Sequence, residues 1–244
     1  MNQFATFADT PAMRGWPLCA ATQQEVFGST ADAAAAAFAL HLAQDEITQY
    51  RETEPSAQIQ QWLWVQDRSS IRLSGRPFFH ALPRALQAGL IHISAGKPKD
   101  ALFAIEEGLR CSDFAFVIGE LAGDPKALDF TASRRLSVAS ERYGVPLYLV
   151  RNDANADLSA ARRRWQVVPH LSEQAKWNVR APGSSRWRAK LFRARGIPPG
   201  EWIVSKNNEP QPCTGNASET AAPTHPVDLA AHAGDQSLAG QYAA

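Results

Sequence analysis

The spacing of apolar residues changes character twice along the chain. From residue 25 to about residue 150, short continuous apolar runs alternate with stretches of helical period. Residues 25–27 predict a strand, and residues 31 to about 43 a helix, with Phe38, Leu40 and Leu42 supporting it and Ser29, Thr30 and Asp32 offering cap oxygens. The polar stretch 45–60 predicts an exposed loop. Trp62-Leu63-Trp64-Val65 predicts a buried strand. Phe79, Leu82 and Leu86 recur at helical spacing and predict a short helix over 78–87, before a strand at 90–93. Asp100 stands where it would cap an amphipathic helix with Leu102, Phe103, Ile105 and Leu109 inward and Glu106 and Glu107 outward. Residues 114–118 form the longest apolar strand pattern, that of a central strand covered on both faces. A helix over 129–143, placing Ala132, Leu136, Ala139 and Tyr143 on one face, ends at Gly144, and a strand follows at 145–150.

After residue 157 the period becomes two. Residues 164–168, 176–180, 186–193 and 201–204 alternate and are separated by Pro182-Gly183 and Pro198-Pro199-Gly200. The expected fold is α/β: a mainly parallel twisted sheet flanked by helices, with an antiparallel extension from the late strands. Residues 1–24 form a loose lead-in, 25–206 one domain, and 207–244 a Pro-, Ala-, Ser- and Thr-rich tail expected to be disordered.

Composition narrows the function classes only modestly. At 244 residues with 45% hydrophobic and 20% charged residues, the chain is long enough for a substantial core. It has no run of about 18 apolar residues and no leader-like start, so a cytoplasmic protein without a membrane role is expected. Cys19, Cys111 and Cys213 are far apart and lack metal-ligand spacing, which argues against structural zinc. Net charge is +1, yet it is segregated: residues 1–60 hold 2 basic and 7 acidic residues, 151–206 hold 12 and 4, and 207–244 hold none and 4. The basic third suits an anionic partner, with which the acidic tail would compete for that surface.

The first strand, turn and helix have the frame of a phosphate-binding loop. Such a loop carries a Lys for phosphate and a Ser or Thr for magnesium. After Gly28 those places fall on Ala33, Ala34 and Ala35, and Asp32 adds a carboxylate where phosphate would sit. A degenerate P-loop without a cofactor, metal or catalytic residues is therefore expected. At the end of the central strand Gly119 replaces a metal-linked Asp, and Glu120 follows it. His80, His92, His170, His225 and His232 fall in different elements without ligand-spaced partners, and Ser133 and Ser137 lack the context of a nucleophile. The strongest positive signal is the strand 186–193. Period two places Arg186, Arg188, Lys190 and Phe192 on one face and Trp187, Ala189 and Leu191 on the other. Arg162-Arg163-Arg164 is a second basic cluster, and Arg134 and Arg135 a third. Trp62, Trp64, Trp165, Trp177, Trp187 and Trp202 fall in expected strands and favour sheet packing over base stacking.

The order of elements resembles the RecA core. More closely, it resembles the ImuA family of RecA-like accessory proteins in bacterial damage-induced mutagenesis. The resemblance is carried by Arg14-Gly15-Trp16-Pro17-Leu18 ahead of Glu25-Val26-Phe27-Gly28, and by 100–107 with 111–120. It is carried also by Asp129-Phe130-Thr131-Ala132-Ser133-Arg134-Arg135-Leu136, and by 186–196 with Gly200-Glu201-Trp202. It implies a non-catalytic adaptor of translesion synthesis in the SOS response. The implied partners are ImuB, RecA and, through them, an error-prone replicative-type DNA polymerase. By the same resemblance Arg193 and Arg195 would touch a RecA-type partner. Three alternatives stay open: a DNA-dependent ATPase with a non-standard site, a SulA-like cell-division inhibitor, and weak DNA binding through the basic third.

Overall fold

The computed structural model describes residues 22–53, 61–172, 177–178, 181, 183–205 and 208–213. One nine-stranded sheet runs through them in the order β3-β2-β4-β5-β1-β6-β7-β8-β9. Its strands are β1 (Gln23–Gly28), β2 (Gln61–Asp67), β3 (Leu90–Ala95), β4 (Phe114–Ala122), β5 (Leu147–Asn152), β6 (Arg163–His170), β7 (Arg186–Ala194), β8 (Gly200–Ser205) and β9 (Asn208–Pro212). The first six are parallel; β7, β8 and β9 continue as an antiparallel wing. This is the α/β arrangement expected from the change of period.

The helices are α1 (Ala34–Thr53), α2 (Arg68–Ser74), α3 (Arg84–Gln87), α4 (Pro98–Leu109) and α5 (Phe130–Tyr143), with a single 3-10 turn at Phe79–Ala81. They divide the apolar side chains into two cores on opposite faces of the sheet. α1 covers one, where Phe38, Ala39 and Leu42 pack on Val26, Tyr148, Trp165 and Trp187. α4 and α5 cover the other, where Ile105, Leu109 and Leu136 pack on Leu63, Val117 and Leu149. Asp129 caps α5 by accepting from Ala132 N at 2.7 Å, and Gly144 ends it with φ of 72°. None of the helices in the described residues is long and apolar enough to cross a membrane.

Several boundaries differ from the sequence pattern. α1 starts at Ala34 and runs through the polar stretch to Thr53, with Ile47 still packed on the core. α2 is an addition. Asp67 caps it, and its few apolar residues leave no periodicity to read. The expected helix over 78–87 is broken at Pro83, which leaves Phe79 about half exposed while Leu82 and Leu86 stay buried. α4 begins at Pro98 with Lys97 as its cap residue, so Asp100 lies within the first turn, and Phe103 points outward at 65% exposure. Tyr143 is also partly exposed. Of the expected strand 176–180 the structure describes Trp177 and Asn178, neither of them in a strand, and Trp177 is 99% exposed. The sheet gains β9 beyond residue 206, with Pro210 and Pro212 in it. Most of the lead-in and the tail beyond Cys213 lie outside the described residues.

Candidate functional site

In a parallel sheet with helices on both faces, the crevice lies beyond the carboxyl ends of the strands. Here β1, β2, β4 and β5 deliver Gly28, Asp67, Ala122 and Asn152 to that edge. The turn after Gly28 is closed on itself. Ala34 N donates to Asp32 Oδ1 at 2.8 Å, Ala31 N to Ser29 Oγ at 3.1 Å, and Thr30 N to Asp153 Oδ2 at 3.2 Å. The Thr30 hydroxyl donates to the same Asp153 oxygen. Asp153 has φ of 52° and anchors itself by donating its backbone N–H to Gly28 O at 2.9 Å. The Thr30 hydrogen bonds hold its carboxyl below the usual range. The amides that would cradle an anion therefore already face carboxylate and hydroxyl oxygens of the same chain. Gly28 is also a close approach: a Cβ there would lie 2.6 Å from the Ala35 Cβ.

Beside this turn a row of polar side chains, buried except for the half-buried His92, crosses β3, β2, β4 and β5. His92 Nε2 meets Gln66 Oε1 at 2.9 Å, Gln66 Nε2 donates to Glu120 Oε2 at 2.8 Å, and Asn152 Nδ2 donates to Glu120 Oε1 at 3.2 Å. Burial pushes the Glu120 carboxyl above its usual range, partly offset by the Gln66 bond. Asp67 is occupied separately, accepting from Ser70 N at 2.9 Å and Ser70 Oγ at 2.6 Å. Gln66 and Asn152 carry no motif by which sequence alone would single them out. Glu120, the residue the sequence offers as a leftover acid, is the centre of the row.

The basic residues named from the sequence separate into different surroundings. Alternation along β7 is as expected, with Trp187, Ala189 and Leu191 buried and Arg188 and Lys190 exposed. Register aligns Arg186, Arg188 and Lys190 with His170, Val168 and Gln166 of β6. Arg188 lies 3.6 Å from Glu201 on β8, at the surface. Phe192 sits at a register shift and packs edge-on against Phe27, with ring centroids 5.8 Å apart. Arg193, exposed, aligns with Arg164. Arg195 is also exposed; its charge reaches Glu141, which is held low chiefly by a hydrogen bond from Arg162. On α5, Arg134 is exposed and Arg135 reaches Glu106 of α4 at 3.1 Å. The run Arg162-Arg163-Arg164 is largely committed inside the molecule. Arg162 pairs with Glu141 at 2.6 Å and Arg164 with buried Glu25 at 2.7 Å, while Arg163 is itself buried. Ser133 is likewise structural, 2.8 Å from the hydroxyl of Ser159, which donates to Glu25 at 2.6 Å. Among the described residues no group of three or more His, Cys, Asp or Glu side chains is placed to hold a metal ion.

On the α1 face, Glu46 accepts from Gln24 Nε2 at 3.3 Å, and burial pushes its carboxyl up to about 7. Tyr148 and Arg163 oppose that rise and Asp45 adds to it. A carboxyl raised in the folded state binds its proton more tightly there than when unfolded. Its contribution is therefore present at low pH and is lost as pH rises toward 7. Urea midpoints are expected to fall between about pH 5 and 7.5. Glu46→Gln should flatten that decline by about 2 kcal/mol, and an unchanged profile would remove Glu46 as its source.

The chain is 30% identical to a protein of Caulobacter vibrioides, in strains NA1000 / CB15N and ATCC 19089 / CIP 103742 / CB 15, described in both as Protein ImuA. This chain resembles ImuA. The match covers 62% of the chain and 60% of each ImuA protein, so the chain spans about 60% of the length of those relatives. No family model matches the chain.

Proposed function

We propose that the protein is a RecA-like accessory factor of damage-induced mutagenesis that binds partners and does not turn over ATP. The observation that carries this reading is the self-closed turn after β1. Asp32, Ser29 and Asp153 occupy the amides that phosphate would need, and small alanines stand where a lysine and a hydroxyl would act. The likeness to ImuA supports the biological setting. Its partners on this reading are ImuB, RecA and, indirectly, an error-prone replicative-type polymerase, met in the cytoplasm. The exposed side of β7, with Arg188 and Lys190, and the neighbouring Arg193 and Arg195 supply charge for an acidic partner face.

Two measurements test it. The protein should co-purify with ImuB or RecA, and Arg188→Glu with Lys190→Glu should weaken that capture at least about tenfold while leaving the urea midpoint in place. ATP titration should give neither saturable binding nor turnover. Turnover abolished by Asp32→Ala or Glu120→Gln would sink the adaptor reading.

A further inference from the structure

A second basic surface lies at the opposite end of the sheet from the wing. Between Asp67 and Asp100 the sequence holds four arginines and two lysines and no acid. β2 and β3 pair with Asp67 beside Ala95, so the chain leaves both strands side by side. That register brings Arg68 and Arg72 of α2 to the same sheet edge as Lys97 and Lys99 at the start of α4. Arg76 follows α2 closely enough for its charge to act on His92 of β3. All five cations are exposed, and among the described residues none forms an ion pair. The exposed acid beside them is Asp100; Asp67 is buried and spent on the α2 cap.

The same segment exposes aromatic rings. Phe78 is 68% and Phe79 43% exposed, and each packs edge-on against the exposed His80, with centroids 5.6 and 5.4 Å apart. Edge contact with His80 leaves much of both phenyl rings in water, a cost that a folded chain rarely keeps in a cluster without use. Guanidinium forks match phosphate oxygens, and ring faces accept unstacked bases. A carboxylate-rich peptide would use the first and leave the rings idle, and duplex DNA would keep its bases out of their reach.

We infer that the α2 to β3 segment and the start of α4 form a binding surface for single-stranded DNA, with Arg68, Arg72, Arg76, Lys97 and Lys99 on phosphates and Phe78 and Phe79 stacking on bases. The surface is separate from β7, so it stands or falls independently of the partner reading above.

The test is fluorescence anisotropy on the full chain with a labelled oligothymidine of about 16 nucleotides across a salt series. Binding should weaken with salt, and Arg72→Gln with Arg76→Gln should reduce the log–log slope by about 0.7 for each cation removed. Phe78→Ala with Phe79→Ala should cost at least about tenfold in affinity without changing the slope. Circular dichroism checks that each variant is folded. Arg188→Gln with Lys190→Gln should leave the binding intact. Equal competition by oligouridine would keep the surface and make RNA a second source of the same ligand chemistry. The inference is overturned by no binding at about 50 mM salt, by unaltered binding in both variants, or by loss only in the β7 variant. Stronger competition by duplex DNA or polyglutamate would overturn it as well.

Discussion

Arg164→Met should lower the unfolding free energy by about 3–5 kcal/mol. Arg164 Nε donates to Glu25 Oε2 at 2.7 Å with the two side chains only 3% and 1% exposed. Its guanidinium also lies 5.0 Å from the Phe27 ring centre and 5.3 Å from that of Phe192, and Nη1 donates to Ala156 O at 3.3 Å. Removing it leaves the Glu25 carboxylate in the core with the Ser159 hydroxyl still donating to it but without its guanidinium. The pair itself need not be worth that much, since both ions lose their hydration on folding. The double variant Glu25→Leu, Arg164→Met should therefore recover most of the loss. Urea midpoints of the two singles and the double give the comparison directly. A single variant that stays within about 1 kcal/mol of wild type but no longer captures its partner would return Arg164 to the list of contact residues.

Trp165→Ala comes next in size, at about 3–5 kcal/mol. This indole is fully buried and donates from Nε1 to Gln24 Oε1 at 3.0 Å. It meets Phe38 of α1 at 5.4 Å and Trp202 of β8 at 6.0 Å between centroids. It thus ties α1, β1, β6 and the antiparallel wing to one another, and truncation leaves a cavity that none of the four can close alone. A reduced dependence of stability on urea would show that the wing has come loose before the parallel strands. Trp177 is the control. At 99% exposure, its change to Ala should stay within about 0.5 kcal/mol.

How far these features were legible in the sequence follows from their physics. The strand and helix order was readable because burial imposes periods of two and 3.6 on local sequence. So were the two faces of β7, and the alanines and Asp32 in the turn after Gly28. The continuation of α1 to Thr53 was not, since its last turns are mostly polar and owe their helix to the preceding ones. Nor was α2, whose start depends on one capping carboxylate. The Glu25–Arg164 pair joins residues 139 apart in the chain, and no local pattern reports such a partnership. Gln66, Glu120 and Asn152 meet because β2, β4 and β5 are neighbours, which is topology. The acid-free segment between Asp67 and Asp100 was visible in composition, but it lies outside the blocks 1–60, 151–206 and 207–244, and over residues 61–150 its charge nearly cancels, 11 basic residues standing against 9 acidic ones.

The prolines of β9 have a consequence for self-association. Cys213 N donates to Glu201 O at 2.9 Å, so at this end of the strand, before its register shifts, odd-numbered residues turn their amides toward β8. Pro212 therefore falls where an amide would turn outward, and neither it nor Pro210 has a proton to give. That margin is a poor template for another strand, whereas β3, the other end strand among the described residues, has no proline. Any main-chain zippering of one molecule onto another is thus steered to a single border, and stacking in both directions into a continuous ribbon is disfavoured.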